Sequence, residues 1–551
     1  MKKSFALSAG PQRKRLRVRS ACIPCRQRKR KCDNGKPCGM CSTFEYACHY
    51  DVDEGPSAPF VKKISHIGGD TRTRSSLAKP STASDSSEVE NLATSTQLKT
   101  DTGILDPSRS RYMSLNSAVA FPHSLGLELQ STNPPHLHSF AWNCGIRLEE
   151  KSDSYPHLTE FITKEDAQRY TDKFFSVVQP LFDILDVRDF RHSSEEYWGE
   201  SGRGSEFGAV VGGVIALGSF FSDNEGHPRE LDIVQYSKNV LEDPKFARSP
   251  TGEQVAGSLL RTIYLRCTTR PHTAWLSSCV TMHLAEATGL HHEIDKVEIA
   301  SDNYSQTFSS DRARRLFWCA WSVNTIISYE YGRTNAPLRE ITCKPPKESN
   351  ESYITQIVQL AQLIPQEISY QSSEAQIEVL LNAIANVQEL PDVHPFLSLT
   401  KADLCHCFYR RLRLLRHQLD KSDVTKIISV GTKALSSGLE LVQRNENWWN
   451  ALGAVFQYNC ILLAIDSPDS LSCVPAAKTT FDRIVEALRT HVAFEAKTTA
   501  EILLRDSIKK KRQEIEELES ADQEESGLQW PSSPTINWDA LLDPSNSFYS
   551  P

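Results

Sequence analysis

The chain has 551 residues, of which 39% are hydrophobic, enough for a sizeable core and enough to exclude a wholly disordered protein. Its formal charge of −7 gives no sign of a nucleic-acid partner, but the charge is unevenly spread. Residues 1–50 hold 13 Lys and Arg against two acids, whereas residues 513–551 hold nine acids and no Lys or Arg.

No segment predicts secretion or a membrane span. The apolar stretch near the start is short, broken by serines and followed at once by a basic run. The longest apolar run, residues 207–221, contains four glycines and is shorter than the roughly 20 residues that a bilayer requires. We therefore expect an intracellular protein without a membrane partner, whose 15 cysteines are thiols or metal ligands rather than disulfides.

Residues 1–21 form a basic arm, in which 13–19 carry five cations. Such a run is typical of a nuclear import signal, of an arm that contacts the DNA backbone or minor groove, or of a solvated charged segment. We expect nuclear import combined with phosphate contact.

Six cysteines follow, in two copies of a C-x2-C-x6-C pattern that are 16 residues apart. They are Cys22, Cys25, Cys32, Cys38, Cys41 and Cys48. Two tetrahedral zinc ions need more ligand positions than six thiolates provide, so two sulfurs would have to bridge both metals. The alternatives are a single four-cysteine zinc knuckle, which the 16-residue repeat argues against, and a disulfide framework, which the absent signal peptide argues against.

Between Cys25 and Cys32, five of six residues are cationic: Arg26, Arg28, Lys29, Arg30 and Lys31. With metal ligands at both ends, this segment is predicted to be a short helix with a cationic exposed side. Such a helix can enter the major groove of DNA, where Lys and Arg donate to guanine O6 and N7. The alternative is a phosphate-binding or import patch without base specificity.

The segment from Cys22 to Cys48 resembles the fungal zinc binuclear cluster (Zn2Cys6) DNA-binding domain. The match rests on the six cysteines, the basic stretch between them and Lys36-Pro37-Cys38. The resemblance implies a module over residues 22–48 that holds two zinc ions, with Cys22 and Cys38 bridging the metals and Pro37 shaping the loop.

The same resemblance implies how double-stranded DNA is read. Lys29 would contact bases with help from Arg28, in triplets that resemble CGG. Arg26, Arg30 and Lys31 are then left mainly for phosphates.

Residues 49–155 are predicted to be a disordered linker rich in Ser, Thr and Pro; 14 of residues 71–100 are of these types. Many proteins of the family that the cysteines resemble place a dimerising coiled coil here. This linker has no heptad pattern, so a homodimer remains an open expectation.

Helical periodicity begins near residue 156 and continues to about 510, which predicts an all-helical regulatory domain. Thr163 to Asp166 is a helix start signal, and Ala167, Tyr170 and Phe174 follow on one face.

Two stretches of this domain resemble the middle homology region of fungal zinc-cluster regulators. They run from Arg270 through Trp275 to His291, and from Arg314 through Trp318 to Arg333. Asn324 stands where that family often has Asp. The sequence therefore does not predict whether the salt bridge expected at that helix forms. The resemblance implies a role in inhibition, effector response or partner contact.

No catalytic residue is predicted, because the sequence has no nucleophile elbow, P-loop or dinucleotide fingerprint. Neighbours in Cys405-His406-Cys407 point about 100° apart on a helix and are expected to fill the core. His291-His292 is expected to be a helix-end feature.

Residues 511–551 form an acidic tail that also carries Trp530 and Trp538. Acidic segments with scattered aromatic residues are typical of disordered activation segments that fold onto a coactivator or the transcription machinery, although a merely solubilising tail is the alternative. The register of Leu504, Ile508, Lys511 and Ile515 is too short and too polar to predict a coiled coil.

The sequence thus predicts a small two-zinc, six-cysteine DNA-binding module, a disordered linker, an all-α regulatory domain and a disordered acidic tail. We expect a nuclear, non-enzymatic transcription factor for RNA polymerase II genes, acting as an activator of a metabolic pathway or biosynthetic gene cluster. The alternative is a helical ligand-sensing or scaffold protein that uses its basic N-terminus only for nuclear or nonspecific nucleic-acid retention.

Overall fold

The computed structural model describes residues 21–22, 24–25, 32–33, 35–43, 48, 104–106, 111–113, 117, 121–131, 155–199, 204–222, 225–248, 250–293, 298–299, 309–365 and 372–526. The chain divides into two compact units, Met1–Thr94 and Ser95–Pro551. The described part of the first unit contains the six cysteines and the short helix α1, Gly39–Thr43.

The second unit is built from helices, with three short strands. Its first elements are β1 Ile104–Asp106, β2 Arg111–Met113, α2 Phe121–Glu128, α3 Lys164–Val177, α4 Gln179–Phe182, α5 Val187–Trp198, α6 Ser205–Ser222, α7 Glu230–Leu241, α8 Pro244–Arg248, α9 Gly252–Thr268, α10 Pro271–Ala287 and β3 Glu298–Ile299. There follow α11 Ser310–Glu330, α12 Ile354–Gln362, α13 Ser373–Glu389, α14 Pro395–Leu414, α15 Lys421–Gln443, α16 Trp449–Ile465, α17 Pro468–Leu488 and α18 His491–Ser526.

Helix α3 begins where the sequence predicts. The Thr163 hydroxyl accepts the backbone N–H of Asp166 at 3.1 Å, which satisfies one of the free N–H groups of the first turn. The predicted face, Ala167, Tyr170 and Phe174, is buried.

Helix α6 lies at the centre of the first half of the domain. By length and composition alone it could cross a membrane, yet 78% of it is buried inside the protein. It packs against α3, α7 and α9, so its apolar circumference is covered by other helices. This segment is a core helix, which agrees with the prediction that it does not span a bilayer.

The second half, α13–α17, shares one hydrophobic core with the first. Trp448 is 2% exposed and lies among aromatic rings from both halves, with Phe221 at 4.4 Å and Phe396 at 4.8 Å between ring centroids. Because this contact joins residues far apart in sequence, the helices from α3 to α17 form one packed body.

Part of the predicted linker, 49–155, is folded into this unit. Strand β1 pairs antiparallel with β2 and parallel with β3, in a three-stranded sheet of order β2-β1-β3. The Tyr112 ring lies 5.1 Å from the ring of His291 and 4.8 Å from that of His292. Strands β1 and β2 are therefore attached to the end of α10.

Helix α18 is 36 residues long and continues past the predicted domain end at about 510. The first part of the predicted acidic tail is thus helical to Ser526. Residues 527–551, which include Trp530 and Trp538, lie outside the described residues.

Candidate metal centre

The six cysteine sulfurs form two overlapping groups of four. The first contains Cys22, Cys25, Cys32 and Cys38, and the second contains Cys22, Cys38, Cys41 and Cys48. Within each group the sulfurs lie within 4.8 Å of one another, and both groups include Cys22 and Cys38. Because Cys22 and Cys38 belong to both groups, six thiolates provide two sites of four ligands each.

The sulfur separations match tetrahedral zinc. Cys22 and Cys38 are 3.7 Å apart, Cys22 and Cys41 3.4 Å, and Cys25 and Cys38 3.6 Å. A tetrahedron with Zn–S bonds of about 2.3 Å has edges of about 3.8 Å. A single four-cysteine knuckle would leave Cys32 and Cys48 apart from the cluster, whereas the structure places both within it.

Backbone N–H groups point at the sulfurs. Cys38 N donates to Cys48 Sγ at 3.2 Å, and Cys41 N donates to Cys38 Sγ at 3.3 Å. Such donors favour the thiolate form, which is the form that binds metal. The bond from Cys38 lowers the pKa of Cys48, whereas burial raises the pKa of Cys22, Cys25 and Cys38 above the usual thiol value. A cation is therefore needed to keep the buried sulfurs ionised.

Asp33 holds the turn between the two cysteine triplets. Its carboxylate accepts the backbone N–H of Gly35 at 3.1 Å, and that of Gly39 at 2.9 and 3.1 Å. These bonds lower the pKa of Asp33 and fix the start of α1, which carries Cys41. The Lys36–Pro37 peptide is cis. Asp33 was not predicted as a site residue, although Asp followed two residues later by Gly is a turn signal.

The predicted base-contacting residues Lys29 and Arg28 lie outside the described residues. The predicted phosphate contacts Arg26, Arg30 and Lys31 lie outside them as well. The described ends of this segment are Cys25 and Cys32, both in the first group of four sulfurs.

Two family models match this chain. Residues 20–57 match the fungal Zn(2)-Cys(6) binuclear cluster domain, and residues 171–450 match the fungal specific transcription factor domain. The chain belongs to the fungal Zn2Cys6 transcription factors. Both resemblances drawn from the sequence are confirmed, and zinc as the cofactor is confirmed with them.

Several curated proteins are similar to this chain over most of its length. Protein RDR1 of Saccharomyces cerevisiae is 52% identical over 97% of this chain and 97% of its own length. Transcription factor kojR of Aspergillus oryzae is 32% identical over 94% of this chain and 89% of its own length. "Probable transcriptional repressor C1348.12" of Schizosaccharomyces pombe is 26% identical over 79% of this chain and 93% of its own length.

The two stretches that resemble the middle homology region contact each other. Trp275 Nε1, on α10, donates to the carbonyl of Thr334 at 3.0 Å, and the Arg333 guanidinium lies 5.5 Å from the Trp275 ring. The start of α10 is therefore held against the chain that leaves α11.

Arg314 makes a two-bond ion pair with a buried acid. Its Nε and Nη2 donate to the two carboxylate oxygens of Glu293 at 2.8 and 2.7 Å, and Lys344 N donates to Oε1 at 2.7 Å. The Arg314 hydrogen bonds lower the pKa of Glu293 to about 2. Trp318 Nε1 donates to the carbonyl of Lys344 at 2.8 Å, so both motif residues hold the same loop.

Asn324 is 1% exposed and makes hydrogen bonds rather than an ion pair. Its side-chain amide donates to Ser278 Oγ at 2.9 Å, and its oxygen accepts the backbone N–H of Ala336 at 2.9 Å. An amide can donate and accept at once, whereas an ionised carboxylate only accepts. Asn324 thus joins α10, α11 and the following loop.

A second buried charge cluster lies between α9, α11 and α14. Arg266 donates from Nη2 to both oxygens of Glu330 at 2.8 and 3.0 Å, and its guanidinium lies 5.0 Å from the Trp449 ring. Burial and the negative charge of Glu330 raise the pKa of the neighbouring Asp403, while Arg266 and Arg410 oppose the rise.

The remaining His and Cys motifs have the structural roles that the sequence predicts. Cys405, His406 and Cys407 are buried in α14, and burial lowers the pKa of His406 to about 3. His291 and His292 follow the end of α10 and are buried beneath Tyr112.

Proposed function

We propose that this chain is a nuclear, sequence-specific regulator of RNA polymerase II genes that reads CGG-like triplets through residues 26–31. The supporting observation is that Cys25 and Cys32 belong to one group of four sulfurs within 4.8 Å of one another. Two ligands of a single zinc ion would then fix both ends of a six-residue cationic segment. Binding to one metal limits how far this segment can spread under its own charge repulsion.

Cys22 and Cys38 are the bridging ligands in this proposal, because they alone occur in both groups. Cys25 and Cys32 complete the first zinc site, and Cys41 and Cys48 complete the second. Six thiolates and two divalent ions leave a net charge of about −2, which the adjacent cations offset.

Lys29 and Arg28 contact bases in this proposal, because Lys and Arg donors match the O6 and N7 acceptors of guanine. Arg26, Arg30 and Lys31 contact phosphates, together with the basic arm at residues 13–19. Each phosphate contact would reduce the logarithm of the affinity by about 0.9 per log unit of salt.

The first test is selection of bound sequences from random DNA duplexes by the full chain with zinc. CGG-like triplets are expected, and a bound pool without sequence preference would contradict the proposal. Lys29→Ala should flatten the preference among duplexes, whereas Arg15→Ala, in the basic arm, should weaken all of them alike. Unchanged preference in the Lys29 variant would contradict its role.

The helical domain controls the output in this proposal, and the acidic tail recruits a coactivator or the transcription machinery. We infer activation of a metabolic or biosynthetic gene set from the nine acids of residues 513–551 and the aromatic residues beyond 526. One relative is named as a probable repressor, so the choice between activation and repression of transcription needs its own test. Residues 511–551 fused to an unrelated DNA-binding domain should raise reporter expression, and an unchanged or lowered signal would refute activation.

The alternative is a helical scaffold or ligand sensor whose basic N-terminus binds nucleic acid without specificity. Such a protein requires neither two zinc ions nor recognition of a DNA triplet. Zinc counting on the purified chain tests the cluster. Two zinc ions per chain are expected, and one ion would contradict the binuclear assignment.

A further inference from the structure

A small cavity lies between helices from both halves of the helical domain, including α9, α11, α14 and α16. Most of its lining is apolar, from Ile263, Val323, Ile327, Ile357, Phe396 and Trp449. The cavity measures about 30 Å³, which leaves room for roughly two groups of the size of a water molecule, and it is partly open to the surface. A narrow ligand can therefore enter it from the surface.

Three charged side chains also line this cavity: Arg266, Glu330 and Asp403. Arg266 donates from Nη2 to both carboxylate oxygens of Glu330, at 2.8 and 3.0 Å, so these two residues neutralise each other. The third, Asp403, is half-buried on α14 and takes no part in that pair. The cavity therefore has one carboxyl group that the neighbouring ion pair does not compensate.

Asp403 receives no hydrogen bond from any residue that the structure describes. Arg410 acts on it through charge alone, because the Arg410 guanidinium donates to Gln457 Oε1 at 3.1 Å and to Cys407 Sγ at 3.0 Å. Burial and the charge of Glu330 raise the pKa of Asp403, since its ionised form lacks a donor. A cation that donates a hydrogen bond inside the cavity would supply what this carboxylate lacks.

The chemistry that satisfies both parts of the cavity is a protonated primary amine on a narrow alkyl stem. An ammonium group carries a positive charge and three N–H donors. The rings of Phe396 and Trp449, with centroids 5.4 Å apart, line the same cavity, and aromatic faces attract cations. An anionic ligand would be repelled by Asp403 and Glu330, and an uncharged ligand would leave the charge of Asp403 uncompensated.

We propose that this cavity binds a primary alkylamine, whose ammonium group donates to the Asp403 carboxylate while its alkyl stem lies along the apolar wall towards the opening. Such a ligand would act on the proposed regulatory role of the helical domain, but its binding needs no DNA. Because helices from both halves line the cavity, the bound amine would contact both halves and stabilise the folded domain.

Three probes of similar size test the ligand class: n-butylamine, butan-1-ol and butyrate. Their binding to the full chain with zinc is measured by saturation-transfer NMR titration at neutral pH and constant ionic strength. Butylamine should bind at least about tenfold more tightly than butan-1-ol, because hydrogen bonds to a charged group are stronger. Butyrate should bind more weakly than either. Equal affinities for the amine and the alcohol would overturn the proposal. Absence of amine binding would also overturn it and leave the cavity to water.

Asp403→Asn tests the carboxylate while it keeps the shape of the side chain. Its affinity for butylamine should fall at least about tenfold, and its affinity for butan-1-ol should stay unchanged. Removal of an unsatisfied buried charge stabilises a fold, so unfolding would not account for the loss, and urea unfolding of the same sample verifies this.

The matched control is Glu378→Gln, which removes an exposed carboxylate from α13 and should bind butylamine as the wild type does. Unchanged amine affinity in Asp403→Asn, or an equal loss in Glu378→Gln, would overturn the proposal. Either result would leave the zinc cluster and the proposed reading of DNA untouched, because no DNA is present in these titrations.

Discussion

The Asp33 carboxylate accepts the backbone N–H of Gly39 with both oxygens, at 2.9 and 3.1 Å. It thereby fixes the beginning of α1 and the position of Cys41 relative to Cys38. Residues that orient metal ligands typically contribute 10-fold to 100-fold to metal affinity. We predict that Asp33→Ala lowers zinc affinity by about that factor, measured by competition with a chelator.

The control is Asp33→Asn, which keeps one acceptor oxygen and should lie between the wild type and Asp33→Ala. Gly39→Ala provides an independent check, because a Cβ atom there would lie 2.7 Å from Asp33 Oδ2 and push the carboxylate away. Wild-type zinc retention in Asp33→Ala would mean that the turn holds without this carboxylate.

The Glu293–Arg314 pair should stabilise the helical domain in a pH-dependent way. The pKa of Glu293 is lowered from 4.5 to about 2, so its contribution is fully present above pH 4.5 and is lost as the pH falls towards 2. Glu293→Gln should reduce the free energy of unfolding at neutral pH by about 2–3 kcal/mol, because Arg314 loses its ionised partner. By pH 4 the deficit should narrow by about 1 kcal/mol.

Urea unfolding followed by tryptophan fluorescence measures both values. The control is Glu195→Gln, which removes the exposed pair with Lys164 and should change stability by less than about 0.5 kcal/mol at any pH. A pH-independent deficit in Glu293→Gln would show that packing, and not charge, accounts for the loss.

Replacement of Asp403 should change the free energy of unfolding in the opposite direction. Burial raises its pKa, with Glu330 adding to the rise and Arg266 and Arg410 opposing it. A raised pKa destabilises the fold above the unfolded-state pKa and costs nothing below it. Asp403→Asn should therefore increase the free energy of unfolding at pH 7 by about 1 kcal/mol or more, and the gain should shrink towards pH 4. A loss of stability at pH 7 would contradict this prediction.

Local sequence signals predicted the elements whose chemistry is local. The 16-residue repeat predicted that all six cysteines belong to one metal cluster. The Thr163 capping signal predicted the start of α3. The partners of Asn324 were not predictable, because Ser278 lies 46 residues away and hydrogen bonds between distant segments leave no periodic signal. The bridging role of Cys22 and Cys38 came from resemblance, and the sulfur geometry now supports it independently.

The predicted end of the helical domain, at about residue 510, lies before the end of α18 for a different reason. Beyond residue 510 the helix has no continuous apolar face, so hydrophobic periodicity ends before the helix does. Lys510 and Lys511 both lie within ion-pair distance of Glu514, at 3.4 and 3.1 Å, and such pairs along one helix face support helix without a core.

The contact between α6 and α3 at Gly218 should be intolerant of a single methyl group. A Cβ atom at Gly218 on α6 would lie 1.9 Å from the backbone carbonyl oxygen of Tyr170 on α3, which cannot rotate away. Gly218→Ala should therefore lower the free energy of unfolding by about 3 kcal/mol or more, since the two helices must separate. The matched control is Gly453→Ala within α16, where nothing lies within 4 Å of the added Cβ. It should stabilise the protein by about 0.5–1 kcal/mol, because alanine favours helix over glycine. Equal effects of the two substitutions in urea unfolding would mean that α3 and α6 do not pack at this distance.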